Sequence, residues 1–289
     1  MCFSASGTDV IGVAGLGPLG EALRDYFERS GAPVRAFDPQ RGIGSAQGIN
    51  EADAVFLCLP TSFRPRVGLD DGALEEAVSL LDGAKVAVIM STLLPGMTEA
   101  YQYRYPQHCF LINPSFAREA HLRTDFLRPD RQVVGYTAQS RHLAEAVVSL
   151  LPKAPFMQIV PAREAEMTKC MTNAFLAIKV TFANEMFDLC SALDIDYSFV
   201  REAVAADPRI GASHLDVLEG GYRGYGGKSL PRDVKALLEQ AERLGVPLRV
   251  LNIADQVNAS FLPPGEAPVL RPVPIDPNHD DDLTDERAA

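Results

Sequence analysis

Short apolar runs alternate with helical patterns over residues 1–161. Two of the runs, Ala54–Leu59 and Lys85–Met90, are apolar at almost every position, which is typical of parallel strands covered on both faces. Helices are predicted between the runs, at Glu21–Arg29 and Arg141–Leu150. Strands separated by helices indicate a doubly wound α/β domain with a parallel sheet. The predicted strands are Val10–Ala14, Val34–Phe37, Ala54–Leu59, Lys85–Met90, Gln132–Gly135 and Phe156–Val160.

The pattern changes after Pro161, and residues 162–261 are predicted to form an all-helical domain. Glu164–Leu193 contains no proline or glycine, which favours one long central helix. This helix carries more apolar surface than one small domain can cover. We therefore expect a homodimer contact along the helix, and we interpret its apolar stripe as core and dimer contact: Phe175, Val180, Phe182, Met186 and Leu189. Shorter helices are predicted at Ser198–Ala205, Val234–Leu244 and Leu248–Phe261, and a glycine-rich loop at Gly220–Gly227.

The last 28 residues, 262–289, lose the helical pattern. They contain six prolines, and their seven acidic residues outnumber two basic ones, so they carry −5 of the net charge of −11. A segment of this composition buries too little apolar surface to offset the entropy of ordering. The composition therefore predicts a disordered acidic tail.

The overall composition disfavours several classes of protein. A net charge of −11 argues against a nucleic acid or an anionic membrane as partner, since either needs a basic surface. No stretch of about 18 apolar residues is present, and the N-terminus lacks the basic and apolar start of a secretory signal. The five cysteines and five histidines are scattered, which predicts reduced thiols, a cytoplasmic protein and no metal site.

A glycine-rich turn joins the first predicted strand to the first predicted helix. In a Rossmann-type fold, glycines at 15, 17 and 20 would allow a tight turn, close approach of a pyrophosphate, and contact between helix and strand. Asp38 ends the second strand, where a carboxylate accepts hydrogen bonds from ribose hydroxyls and repels a 2′-phosphate. NAD is therefore predicted over NADP, although Arg41 could reach a phosphate. The alternative is a purely structural turn. The full turn reads Gly15, Leu16, Gly17, Pro18, Leu19 and Gly20.

Five further segments occur after the glycine turn, in a fixed order over about residues 10–260. They are Ala52–Thr61, Ser91–Thr98, Asn113–Glu119, Ala165–Cys190, and Asp207–Gly211 leading to Gly224–Asp233. Together with the turn they resemble the UDP-glucose/GDP-mannose dehydrogenase family. The resemblance implies two NAD-dependent oxidations of a sugar-nucleotide alcohol, through an aldehyde to a carboxylate. A loop cysteine and a glutamate form and hydrolyse a thioester in that family.

The resemblance assigns roles to individual residues. Lys169 and Asn173 match the helix pair that positions the reacting oxygen, and they lie four residues apart on one helix face. Arg209 matches an arginine that reaches the neighbouring subunit's substrate. The implied catalytic residues are Lys169, Asn173, Thr92, Ser229 and Asp233. The implied cofactor contacts beyond the turn are Asp38, Leu59, Pro60, Thr61, Ser91, Thr92, Glu119 and Arg232. The implied substrate contacts are Phe116, Ala117, Arg118, Glu119, Lys169, Asn173, Arg209, Tyr222, Tyr225 and Gly226.

Two positions depart from the family pattern. The loop cysteine is replaced by Ser229 and the hydrolytic glutamate by Ser115. A serine hydroxyl is a far weaker nucleophile than a thiol unless a base activates it. Loss of both groups suggests that one two-electron step survives without a thioester. An engineered change would explain Ser229 but not Ser115.

The resemblance also implies a second dinucleotide-fold domain, and we expect this chain to be a truncated form without it. We therefore expect a small alcohol, a differently held nucleotide derivative or nucleoside, or a partner chain that supplies the missing half. A β-hydroxyacid dehydrogenase, which shares the Lys-x-x-x-Asn pair, is a further alternative. An NAD-binding pseudoenzyme is the alternative from a different class.

Several of these residues also have ordinary structural interpretations. Lys169 could extend along the surface to solvent, and Asp233 could cap a helix near Pro231. Tyr222 and Tyr225 could stack on a base or sugar, or be surface side chains. A helix turns about 100° per residue, so Cys170 should face away from Lys169 and pack in the core.

Overall fold

The computed structural model describes residues 9–218 and 221–261. Its strands are β1 (Ile11–Ala14), β2 (Val34–Phe37), β3 (Ala54–Leu57), β4 (Ser62–Arg64), β5 (Gly68–Asp70), β6 (Val86–Ile89), β7 (Cys109–Ile112), β8 (Arg131–Tyr136) and β9 (Phe156–Pro161). Its helices are α1 (Pro18–Arg29), α2 (Ala46–Ile49), α3 (Gly72–Ser79), α4 (Met97–Arg104), α5 (Leu122–Leu127), α6 (Ala144–Leu150), α7 (Ala162–Ala192), α8 (Tyr197–Ala205), α9 (Ser229–Arg243) and α10 (Arg249–Phe261). The predicted tail, 262–289, and Gly220 lie outside the described residues.

The first half of the chain forms a seven-stranded sheet in the order β2-β1-β3-β6-β7-β8-β9, and β4 and β5 make a separate hairpin. Strands β1, β2, β3, β6 and β7 pair in parallel, as predicted for a Rossmann-type sheet. The pairing of β7 with β8 is antiparallel, so the expectation of a wholly parallel sheet is wrong at this one place. The connection between them, residues 113–130, contains a 3-10 helix at Glu119–His121 and the short helix α5. It does not carry the chain back along the sheet, so β8 starts at the end of the sheet where β7 stops.

The central strands are covered on both faces, which explains their continuous apolar sequence. In β3, Val55 and Leu57 enter one apolar cluster, while Ala54 and Phe56 enter another on the opposite face. Strand β7 and helices α3 and α4 were not predicted from the sequence. Helix α4 carries polar residues around most of its circumference, so it has no apolar stripe to recognise.

The long helix α7 begins directly after β9 and packs against the sheet and against α9 and α10. Near its start, Glu166 is fully buried and its carboxylate accepts hydrogen bonds from the Gly96 N–H at 2.6 Å and from the Thr98 N–H at 2.8 Å. These amides belong to the first turn of α4, where an anion is favoured by the helix dipole. The contact fixes α7 relative to the sheet, one turn before Lys169.

The opposite side of α7 faces outward. In the apolar stripe predicted as core and dimer contact, Phe175, Phe182 and Leu189 are 64%, 56% and 52% exposed, and Val180 is buried at 8%. Cys170 is buried, as predicted, with its thiol 3.6 Å from the Leu93 carbonyl oxygen. Within the described ranges, no helix combines the length and apolar character needed to cross a membrane.

Candidate functional site

A cavity of about 750 Å³, here called the first cavity, opens at the carboxyl ends of β1, β3 and β6. In an open α/β sheet this edge is the usual place for a ligand. The loops that follow these strands line it, together with one face of α7 and the start of α9. The predicted site residues along its wall are Gly15, Leu16, Gly17, Pro18, Leu19, Asp38, Leu59, Pro60, Thr61, Ser91, Thr92, Ala117, Glu119, Lys169, Ser229 and Arg232.

The three glycines of the turn have different physical roles. Gly15 adopts φ +84°, a conformation that disfavours any other residue. A Cβ placed on Gly17 would meet no atom within 4 Å, so this backbone is open to the cavity. A Cβ on Gly20 would lie 1.9 Å from the Gly15 carbonyl oxygen, and Gly20 does not line the cavity. Gly20 therefore allows the close approach of helix to turn, while Gly17 leaves room for a pyrophosphate.

Asp38 lies beside the turn at the end of β2. One carboxylate oxygen accepts from the Leu16 N–H at 2.8 Å, and the other accepts from the Arg41 N–H at 3.2 Å. The Arg41 guanidinium donates to Glu21 and to the Leu16 carbonyl oxygen, each at 2.5 Å. Arg41 is thus engaged by an acid instead of being free for a 2′-phosphate. The turn, the open backbone at Gly17 and Asp38 fit a dinucleotide with an unmodified ribose.

Of the predicted pair Lys169 and Asn173, only Lys169 lines the first cavity. It is 9% exposed, so it does not extend to solvent along the surface. Burial lowers the pKa of Lys169 to about 8, against the opposing attraction of Asp233. Its ammonium nitrogen lies 5.6 Å from the centroid of the Phe116 ring. An amine with this pKa can exchange a proton near neutral pH.

Asn173 and Asp233 form a buried pair behind Lys169. The Asn173 side-chain amide donates to Asp233 at 2.5 Å, and Arg232 donates to the other oxygen of Asp233 at 2.6 Å. Arg232 also donates to the Thr61 carbonyl oxygen at 3.2 Å, which ties α9 to the loop after β3. Asp233 is the fifth residue of α9, and its carboxylate accepts hydrogen bonds from the side chains of Asn173 and Arg232. The interpretation of Asp233 as a helix cap is therefore wrong.

The serine predicted from the loop motif lies at the first cavity. Ser229 begins α9, and Ser115 lines the cavity as well. Sequence reasoning did not single out Lys228, which precedes Ser229 and also lines the cavity. Its position between the glycine pair and Ser229 was the available signal.

Several predicted substrate contacts are not brought to this wall. Tyr225 is 3% exposed, and its hydroxyl donates to Asp255 at 2.7 Å, so it is neither a surface nor a cavity residue. Tyr222 packs against Gly226, where an added Cβ would lie 2.8 Å from the tyrosine ring. Arg209 is highly exposed and pairs with Asp207. Asn173 is buried and lines neither this cavity nor the one described next.

A second cavity of about 840 Å³ shares Met90, Ser115 and Ala117 with the first. The predicted residues Phe116, Ala117 and Arg118 line it, and Arg118 pairs with Asp125 at 2.8 Å. Arg131, which the sequence reasoning missed, also lines this cavity and lies over the Phe116 ring. Across the described part of the chain, no group of three or more His, Cys, Asp or Glu side chains is arranged to hold a metal ion.

Comparison with known proteins extends this geometry. Residues 163–260 match the central domain of the UDP-glucose/GDP-mannose dehydrogenase family. The chain is 31% identical over 290 aligned positions to UDP-glucose 6-dehydrogenase AglM of Haloferax volcanii, covering 89% of this chain and 65% of that protein. The chain belongs to the UDP-glucose/GDP-mannose dehydrogenase family.

Another curated relative and a solved structure also match most of this chain. A UDP-glucose 6-dehydrogenase of Pseudomonas aeruginosa is 30% identical over 74% of this chain and 50% of its own length. The solved structure of a UDP-glucose dehydrogenase from Pyrobaculum islandicum superimposes with a TM-score of 0.74 at 25% identity, covering 88% of this chain and 68% of that one. The chain thus spans about half to two thirds of the length of the curated relatives it matches.

Proposed function

We propose that this member of the UDP-glucose/GDP-mannose dehydrogenase family binds NAD and catalyses one two-electron oxidation of an alcohol, or the reverse reduction. The observation that carries the proposal is the shared wall of the first cavity. The glycine turn and Asp38 lie on that wall together with Thr92 and a buried lysine of lowered pKa. A sugar nucleotide, nucleoside or related small alcohol is the proposed substrate.

Different residues act at the two ends of the first cavity, here called the cofactor end and the reacting end. The amides of the glycine turn and the start of α1 would hold the pyrophosphate, and Asp38 would hold the ribose. NAD supplies the hydride acceptor. We propose that residues 1–161 act mainly in cofactor binding, and that residues 162–261 contribute the reacting end through Lys169, Ser229 and Arg232.

Lys169 is proposed to receive the hydroxyl proton as the alcohol is oxidised. The C–H hydrogen then leaves as hydride to the cofactor, and the oxygen becomes a carbonyl. Asp233 and Asn173 act as positioning residues behind the lysine, because their hydrogen bond fixes α7 against α9. Ser115 and Ser229 provide no carboxylate and no thiol, so a second oxidation through a thioester is not part of the proposal.

The number of NADH molecules formed per substrate tests this proposal. Purified protein is given excess NAD and a panel of sugar nucleotides, nucleosides and simple hydroxy compounds. We expect one NADH per substrate and a carbonyl product that a hydrazine traps. Two NADH per substrate would contradict the single oxidation, and none despite NAD binding would favour the pseudoenzyme.

We also propose a homodimer through the exposed face of α7. The exposed side chains Phe175, Phe182 and Leu189 form an apolar stripe that a second copy could cover. The predicted action of Arg209 on a neighbouring subunit needs this arrangement. Light scattering at micromolar concentration should give twice the chain mass, and Phe182→Asp should give a monomer. A monomeric wild-type protein would contradict both proposals.

A further inference from the structure

The second cavity contains more positive than negative side chains. Three arginines line it, Arg118, Arg128 and Arg131, against the acids Asp125 and Asp130. Arg118 is engaged by Asp125, which leaves the charge of the other two arginines less well compensated. In a chain of net charge −11, a local excess of arginine is a feature that needs a physical reason.

Arg131 is the most constrained of these arginines. Its guanidinium carbon lies 4.2 Å from the centroid of the Phe116 ring, and its Nε is buried without a hydrogen-bond partner. Among the residues that the structure describes, no carboxylate forms an ion pair with it. Burial lowers the pKa of Arg131, opposed by the neighbouring Asp130. Arg131 thus lines the cavity without an ion-pair partner among the described residues, and an anion bound in the cavity would supply charge-assisted hydrogen bonds to its guanidinium.

The position of Arg131 relates it to the proposed reacting end. Lys169 and Arg131 lie at 5.6 and 4.2 Å from the centroid of the same Phe116 ring, so their charges are at most about 10 Å apart. Ser115 and Ala117 line both cavities, next to this ring. A ligand could therefore extend from Lys169 past these two residues to Arg131.

We propose that the second cavity is the substrate cavity and that Arg131, assisted by Arg128, binds an anionic group of the substrate, a phosphate or a carboxylate. The reacting hydroxyl and the anion would bind to charges that are at most about 10 Å apart, so the substrate class is a small hydroxy compound that carries an anion. Met171 and Leu176 form an apolar wall for the rest of the ligand. The inference rests on the proposed function, because Lys169 defines the reacting end.

Calorimetric titration of NADH-saturated protein tests the inference, since bound NADH occupies the glycine turn. Two matched pairs of ligands are used: glucose 1-phosphate against methyl glucoside, and 3-hydroxybutyrate against its methyl ester. We expect at least one anion to bind about tenfold or more tightly than its neutral counterpart. The pair that shows the larger ratio identifies phosphate or carboxylate as the preferred group.

The Arg131→Gln variant should lose this preference, because the amide keeps some polarity but carries no charge. Arg131→Lys should retain part of it, and Arg128→Gln should reduce it by a smaller factor. Arg123→Gln is the matched control, since Arg123 pairs with Asp25 and lines neither cavity. If Arg131→Gln fails to fold, Arg131→Lys and Arg128→Gln still decide the matter. Equal binding of anionic and neutral ligands, or a preference unchanged in these variants, would overturn the inference.

The proposed function and this inference fail in different ways. A Lys169→Met variant should keep the anion preference while losing turnover, because Arg131 is untouched. Anion preference without NADH formation from any alcohol would contradict the proposed function alone. NADH formation with no anion preference would contradict the inference alone.

Discussion

The two ends of the first cavity are built by different means. At the glycine turn, backbone amides and the shape of the chain form the surface, and Gly15, Gly17 and Asp38 lie where their spacing predicts. At the other end, buried side chains from distant segments meet, and Asn173 is withdrawn from the cavity into a hydrogen bond with Asp233. Groups close together in sequence thus form the cofactor end, whereas the reacting end depends on how α7 and α9 pack.

This contrast has an energetic side. Leaving a backbone turn open to a ligand costs little, because its groups remain accessible to water. Burying Lys169 disfavours its charged form and so lowers its pKa, against the attraction of Asp233. We therefore expect the reacting end to lower the free energy of unfolding more than the cofactor end does. Changes of shape at the cofactor end should have the larger effect on the affinity for NAD.

The largest expected effect is on turnover in Lys169→Met. Removing the proposed proton acceptor should lower kcat by about 10³-fold or more, while the dissociation constant for NAD changes little. Steady-state kinetics and NAD titration measure the two quantities. Full activity in this variant would contradict the assignment of Lys169 and weaken the contrast between the two ends.

The pH dependence of the wild-type enzyme should reflect the same amine. With a pKa of about 8, Lys169 gains its proton below that pH and can no longer accept one. We expect kcat/KM for oxidation to rise tenfold per pH unit and to level off above about pH 8. A profile that falls through this range would indicate that the ammonium form is the active one.

Stability should change in the opposite direction from activity in Lys169→Met. Folding lowers the pKa of this lysine from 10.5 to about 8, so the unfolded chain binds more protons between these values and wild-type stability rises with pH there. Below pH 8 the cost of burying the charged lysine is fully present in the wild-type protein. The free energy of unfolding of Lys169→Met should therefore exceed that of the wild type by about 3 kcal/mol. Chemical denaturation should show this difference in unfolding free energy at pH 7 and its near disappearance at pH 10.5.

Two of the three glycines of the turn, Gly17 and Gly20, offer a sharper comparison within the cofactor end. Gly20→Ala should cost about 3 kcal/mol of unfolding free energy, because its Cβ would clash with the Gly15 carbonyl oxygen. Gly17→Ala should leave stability within about 1 kcal/mol but weaken NAD binding roughly tenfold, since the methyl group enters open space meant for the ligand. Equal effects of the two changes on stability would contradict the division of roles.

Ser229→Ala should have the smallest effect. Under a mechanism without a thioester, loss of this hydroxyl should lower kcat less than about tenfold, comparable to one hydrogen bond. Single-turnover kinetics would reveal a larger role. A decrease approaching 10⁶-fold would show that Ser229 is a covalent nucleophile.

Much of the sheet was predictable because strands that are covered on both faces have a continuous apolar sequence. Val34–Phe37 matches the prediction at both ends, and Ala54–Leu57 falls within the predicted run. Helix α7 was also predicted within two residues at each end. Strand β7 was not predicted. The antiparallel direction of β8 depends on the path of the connection from β7, which the periodicity of the sequence does not determine.

The candidate site divides in the same way. The glycine spacing and Asp38 were sufficient to locate the cofactor end, because a short stretch of backbone forms it. The withdrawal of Asn173, the burial of Tyr225 and the position of Arg131 over Phe116 depended on contacts between segments far apart in sequence.

The sequence by itself determined the alternation of buried strands and helices, the glycine turn, the long helix and the family resemblance. These follow from local periodicity and from the backbone demands of single residues. The tertiary structure decided which side chains share a cavity and which charges lose their water. Packing of α7 against the sheet and α9 buries Lys169 and lowers its pKa, and it places Arg131 on the same ring, because desolvation and proximity exist only once distant segments meet.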